Sequence, residues 1–350
     1  GLPARYTLIS TQIYSFLGTG RDSQGYILAI ILMLMSFLGL GLNYKLIGSR
    51  KSFTTIGGKG TKRNPVKLGK WRIPITIIVL VFLVVVAIFP LFLIGWSSVM
   101  LNMGDFSLSN FSLHYWIGEG TRAYADGAPG VLRHAEVLGA LRNSVTLSVV
   151  GGLLTGLVGT GIGYVVVKER GKWLSQGLEQ LSFVPMLIPS IVFGSIYLAL
   201  FSRPNWFIPS LYGTFALLVV VTIGKQLPYT ARSGVSSMLQ VSGDLEEAAI
   251  IQGVPWRRRF LKIMFPLTKN GFIAGALIVL ITTMRELSLY ILLATPANRV
   301  LTSITYRFIE EGNKQITYAI TILLILTVLI LTTIVNKWQK TDLASGMGGK

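Results

Sequence analysis

The 350-residue sequence contains no cysteine, only two histidines and only 14 acidic residues. Each shortage removes a class of chemistry. Without cysteine there is no disulfide framework, no thiolate metal site and no cysteine nucleophile. His114 and His134 stand in no metal-ligand spacing, so no metal site is expected. Charged residues make up 13% of the chain, against roughly 25% in a soluble domain. A water-soluble globule of this length is therefore excluded. Disorder is excluded too, because 51% hydrophobic residues must be buried somewhere.

What the chain does have is long apolar runs and a surplus of positive charge, 32 Lys and Arg for a net +18. Nucleic-acid binding would explain the charge but not the apolar content, so no nucleic-acid partner is expected. The combination predicts an all-α integral membrane protein, since a bilayer core takes about 20 apolar residues as a helix whose backbone bonds are satisfied internally. Seven segments fit: Tyr26–Ile47, Ile73–Trp96, Val145–Val167, Leu181–Phe201, Leu211–Leu227, Phe272–Leu293 and Ile316–Val335. The fifth is short and ends in Lys225 and Pro228. The first is not a signal peptide, because it lacks a basic leader and a cleavage site.

The charge alternates from loop to loop. Residues 45–72, 168–177, 225–271 and 336–350 together hold 22 of the 32 basic residues. Basic loops stay on the cytoplasmic side, which places residues 1–25 and the loop 97–144 outside and the C-terminus inside. Most of the +18 is thus a topology signal.

The start of the chain resembles its end. Tyr14, Phe16 and Tyr26 match Tyr306, Phe308 and Tyr318 at a constant offset of 292, and Pro3-Ala4 echoes Pro296-Ala297. Internal repeats are a mark of transporters; two membrane-entry segments with interfacial tyrosines would give the same pattern. Read as a repeat, with no initiator Met, residues 1–47 are the end of a first half carrying one membrane helix. Residues 48–72 are then a basic cytoplasmic linker, 73–335 a six-helix second half, and 336–350 a cytoplasmic tail.

The loop 225–271 carries the most information. Asp244 and Glu247 have capping-box spacing, and Gly253 with Pro255 reads as a helix stop. Pro255 can open a second helix with Trp256, Phe260 and Ile263 on one face, and Pro266 ends it before the sixth span. An amphipathic segment lying on the inner leaflet, with Arg257-Arg258-Arg259 on lipid headgroups, is the alternative. Glu247-Ala248-Ala249, three residues, Gly253, nine residues, Ile263, one residue and Phe265-Pro266 resembles the EAA loop of binding-protein-dependent ABC importer permeases, with Phe265 where that family usually has leucine.

The resemblance implies that Glu247, Ala248, Ala249, Gly253, Ile263 and Pro266 couple the chain to a cytoplasmic ABC ATPase dimer. It implies a type I-like bundle in a bacterial inner membrane, fed by an extracytoplasmic solute-binding protein. It also implies a partner permease half, either the missing first half or a second subunit. ATP and Mg would sit on the ATPase, and this chain would be no enzyme and hold no cofactor. No phosphate-binding loop contradicts this: Gly57-Gly58-Lys59-Gly60-Thr61 has Phe53 where the first glycine of such a loop belongs. Gly159-Thr160-Gly161-Ile162-Gly163 is followed by Tyr164 rather than ending as a dinucleotide loop does. Gly152, Gly156, Gly159 and Gly163 instead share a face suited to close helix contact.

Arg285-Glu286 is the ionisable pair deepest in a span. Such residues face a bundle interior or a wet cavity. They are candidates, with Ser288 and Tyr290, to line a translocation path beside Thr282 and Thr283; a structural pair fixing helix packing is the alternative. Pro185 and Pro189 are expected to bend the fourth span and free carbonyls there. Met284–Tyr290 with Thr295-Pro296, Asn143-Ser144 and the join Leu68–Arg72 resemble the ferric-iron branch of the permeases. The cargo expected is ferric iron or an iron chelate, with thiamine, phosphonate or polyamine as other solutes. An ion-coupled secondary transporter or channel and a membrane-anchored scaffold are the remaining function classes.

Overall fold

In the computed structural model, the described residues are 8–47, 68–105, 107–204 and 209–339. Most of the linker 48–72, the tail beyond 339 and the Pro3-Ala4 match lie outside them. The described chain is helical. Its one sheet-like feature is an isolated antiparallel bridge between Met100 and Phe111.

The helices run in chain order as α1 (Ile9–Gly18), α2 (Asp22–Ile47), α3 (Arg72–Leu83), α4 (Phe89–Ser97), α5 (His114–Ile117), α6 (Ala135–Lys168) and α7 (Trp173–Leu187). They continue as α8 (Ser190–Phe201), α9 (Phe215–Met238), α10 (Gly243–Ile251), α11 (Trp256–Arg259), α12 (Phe265–Arg285), α13 (Leu301–Glu310) and α14 (Lys314–Gln339). Five stretches are long and apolar enough to cross a membrane, and the bent pair α7–α8 supplies a sixth. The fifth expected span corresponds to α9, which is not among these stretches. It is longer than predicted, running 24 residues straight through Lys225 and Pro228. A proline costs a helix one N–H, and a long helix packed on its neighbours tolerates that loss.

The fourth span is not one bent rod but two helices meeting at 103°. Pro189 cannot extend α7, and the residue before it, Ile188, is driven into extended backbone (φ −88°, ψ 122°). The sixth span also differs from expectation. Its helix ends at Arg285, and Glu286 already has extended backbone (φ −77°, ψ 119°). Residues 287–293 therefore continue as turns, so Arg285 and Glu286 lie at a helix end rather than within one.

The centre of the bundle is α6 packed on α9 and α12. With 34 residues, α6 is about 51 Å long at 1.5 Å per residue, longer than the roughly 30 Å bilayer core. Its glycines set the contact distances. A Cβ at Gly152 would stand 2.9 Å from the Ala276 carbonyl oxygen, and one at Gly156 would stand 2.8 Å from the Phe272 ring, both on α12. A Cβ at Gly159 or Gly163 would collide with Thr230 and the Gly234 backbone of α9. The glycine stripe thus serves two partner helices in succession.

The repeat extends to helix ends. α1 and α13 begin at Ile9 and Leu301 and end at Gly18 and Glu310, while α2 and α14 span Asp22–Ile47 and Lys314–Gln339, each pair separated by 292 residues. The turns between them carry left-handed glycines at the same offset, Gly20 (φ 75°) and Gly312 (φ 83°). The equivalent tyrosines Tyr14 and Tyr306 touch each other edge to face, with ring centroids 5.9 Å apart. Ile13 and Ala29 of the first copy pack on Ile191 and Val192 of α8. The second copy instead meets the loop 97–144, where Tyr115, Val131 and Val137 pack on Leu301, Ile304 and Ile316.

Candidate functional site

The predicted coupling loop narrows, because α9 does not end until Met238. α10 is capped by Ser242, whose extended backbone (φ −62°, ψ 136°) suits an N-cap and whose hydroxyl accepts from the Asp244 N–H at 3.3 Å. The Ser242 hydroxyl also donates to the Asp244 carboxylate at 2.9 Å. The expected Asp244–Glu247 capping box is therefore not formed: Asp244 lies inside the first turn and Glu247 is exposed. At the other end Gly253 stops the helix with φ 71°. Its N–H donates to the Ile250 carbonyl at 2.9 Å, and the Val254 N–H donates to the Ala249 carbonyl at 3.0 Å. This is the paired bonding of a Schellman stop, which needs a left-handed residue at that point.

Pro255 caps α11 as expected, but Pro266 does not end the second helix. α11 passes through a wide π turn, Phe260–Met264, directly into α12. The π turn shifts the hydrogen-bond register just before Pro266, where a missing N–H is harmless. The stretch from Trp256 to Arg285 is thus one 30-residue piece joining the loop to the sixth span. Ile263 packs with Tyr164, Met238 and Met264, and Trp256 stacks on Phe260 at 5.7 Å.

The residue that anchors the loop is Glu246, which the motif does not single out. It is 3% exposed. The Tyr164 hydroxyl donates to it at 2.5 Å, and Lys168 and Arg259 pair with it at 3.2 Å and 3.5 Å. Burial alone would push the Glu246 carboxyl up, but the Tyr164 hydroxyl, Lys168 and Arg259 outweigh it and hold the group below the usual carboxylate value. Arg259 also donates to the Val254 carbonyl at 2.7 Å. One carboxylate therefore ties α10 to the end of α6 and the end of α11. Ala249, three residues on, is buried on the same face, while Ala248, Leu245 and Ile251 are exposed. The signal in the sequence was the doubled acid Glu246-Glu247, whose facing it does not specify.

The predicted path residues separate. Arg285 and Glu286 line a cavity of about 410 Å³ with Lys225, Gln226, Ser190 and Thr282. Ser288 is exposed and not on its wall. Tyr290 is fully buried in the core with Leu147, Phe193 and Leu217, its hydroxyl 2.7 Å from that of Thr222. Lys225 lies in the gap of the broken span, its ammonium donating to the Pro185 carbonyl at 3.0 Å and to the Ile188 carbonyl. Prolines freeing carbonyls were legible in the sequence; the lysine that takes them was not. Among the described residues no cluster of His, Asp and Glu has the makings of a metal site.

Residues 139–343 match the family described as "Binding-protein-dependent transport system inner membrane component". The chain belongs to that family. It is 26% identical over 338 residues to the ferric transport system permease protein FbpB of Actinobacillus pleuropneumoniae, covering 94% of this chain and 46% of that protein. The chain thus spans about half the length of this curated relative. It is 32% identical over 143 residues to the molybdate/tungstate transport system permease protein WtpB of Pyrococcus abyssi, covering 40% of this chain and 54% of that one. The fold is similar to that in the crystal structure of a bacterial ABC transporter involved in the import of the acidic polysaccharide alginate. The TM-score is 0.55 at 14% identity, over 77% of this chain and 94% of that chain.

Proposed function

We propose that this family member is the membrane-spanning permease part of an ATP-driven importer, and that α10 docks into a groove on a cytoplasmic ATPase subunit. The observation that carries the reading is the two-faced character of α10. Its inner face is fixed to the bundle through Glu246, while Leu245 is 51% and Ile251 86% exposed. An apolar face at the tip of a loop, beyond the membrane spans, is a docking surface for a protein partner. Force applied to α10 reaches α6 through Tyr164 and Lys168 and α12 through Arg259, so docking and bundle motion are mechanically joined.

The matching helix pairs α1–α2 and α13–α14 favour residues 1–47 as the end of a first permease half, with the two-fold axis passing by Tyr14 and Tyr306. The positive-inside pattern favours a cytoplasmic C-terminus. The cargo we propose is ferric iron or an iron chelate delivered by a solute-binding protein, on the similarity to the ferric relative along nearly the whole chain. The oxyanion named for the WtpB relative is the second cargo class. The docking reading is tested by Ile251→Asp: co-purification of the ATPase subunit is expected to be lost while the bundle still folds. Undiminished co-purification would overturn it.

A further inference from the structure

The polar cavity has an unbalanced set of groups. Its ionisable walls are Lys225, Arg285 and Glu286, two cations against one anion. Each acceptor already has a partner: Glu286 takes the Leu289 N–H at 3.2 Å and the Ser190 hydroxyl at 3.4 Å, and the Gln226 carbonyl oxygen takes the Thr282 hydroxyl at 3.1 Å. The Lys225 ammonium is engaged with the carbonyls of the broken span. Arg285 has no hydrogen bond or ion pair among the described residues. The groups without a partner among the described residues are the Arg285 guanidinium and the Gln226 amide NH₂, which only donate, and the Tyr229 hydroxyl, which can donate or accept.

Arg285 is exposed on the cavity wall, so its guanidinium is open to an acceptor that enters there. Its planar fork of donors matches the paired oxygens of a carboxylate, phosphate or similar oxyanion. A bare trivalent cation fits badly. It requires several anionic oxygen ligands, and here one carboxylate stands beside two positive charges. The volume of about 410 Å³ corresponds to roughly a dozen waters at about 30 Å³ each, enough for a hydrated oxyanion or a compact complex.

We infer that this cavity takes an anion bound at Arg285, either a free oxyanion or a metal complex that keeps its carboxylate or phosphate ligands. The inference rests on the importer reading for its setting. It implies that iron crosses, if it is the cargo, with its negative ligands attached.

The test uses the full-length permease with its ATPase in proteoliposomes, ATP being supplied to the ATPase side. The probes are labelled iron supplied as its citrate complex with a second label on citrate, and labelled phosphate, sulfate and molybdate. Expected is entry of an anion label, either alone for a free oxyanion or in fixed ratio with iron for a complex. Arg285→Glu should cut that entry about tenfold or more, the scale of losing one charge-assisted hydrogen-bond pair, while Arg285→Lys, which keeps the charge but loses the paired donors, should cut it less. Iron entering without citrate, no anion label entering, or Arg285→Glu transporting as well as wild type would each overturn the inference. The wild-type label ratio decides the first two points even where the variant fails to fold. Anion entry that needs Arg285 but not ATP would uphold this inference and overturn the importer reading instead.

Discussion

Glu246 and Gly253 carry the coupling loop by different means. Gly253 sits at φ 71° with open space around its Cα, so a substitution there is opposed by backbone strain alone. Gly253→Val is expected to cost about 1–2 kcal/mol of helix-stop stability, seen as faster amide hydrogen exchange at positions 253 and 254. Glu246→Ala removes the shared partner of Tyr164, Lys168 and Arg259. Because Lys168 remains partly in solvent, the cost is about 2 kcal/mol rather than the 3–5 typical of a fully buried pair. The carboxyl is held below its ordinary value of 4.5, so its stabilisation is complete above that pH and lost as the pH falls through the lower folded value. Exchange in residues 243–259, corrected for intrinsic rates, should rise across that window in wild type and not in Glu246→Gln. Gly253 was legible in the sequence because a helix stop is a local signal. Glu246 was not, because Tyr164 and Lys168, which decide which of two adjacent glutamates turns inward, lie about 80 residues earlier.

The helices were legible as apolar runs, but their ends and breaks depend on contacts between elements. Pro185 and Pro189 announced a bend, and only the fold shows Lys225 of α9 receiving the carbonyls that the break releases. Lys225→Met should leave those carbonyls without a donor, at about 1–3 kcal/mol, measured as a lower thermal midpoint in detergent. The Pro266 stop failed because a π turn absorbed it, and the sixth span was overextended because residues 287–293 are as apolar as a helix. The glycine stripe was read correctly for its purpose. Gly163→Leu should drive α6 from α9, and the expected outcome is loss of folded, monodisperse protein on size-exclusion chromatography.

For the molecule as a whole, hydropathy and charge gave an all-helical membrane fold, whereas the relation between the two chain ends needed coordinates. A match of aromatic residues became a match of helix bounds, and the paired tyrosines came into contact. The chain has no cysteine, so Tyr14→Cys with Tyr306→Cys gives a specific pair for a short bifunctional thiol reagent. Efficient intramolecular cross-linking is expected, and neither single variant should give it. The most direct test of the central claim, that ATP hydrolysis on a partner drives this bundle through α10, is uptake and hydrolysis measured together in proteoliposomes holding the full-length permease. Uptake is expected to vanish when the ATPase subunit is omitted, and Gly253→Val is expected to lower the solute moved per ATP. Uptake that continues without the ATPase, driven by an ion gradient, would contradict it.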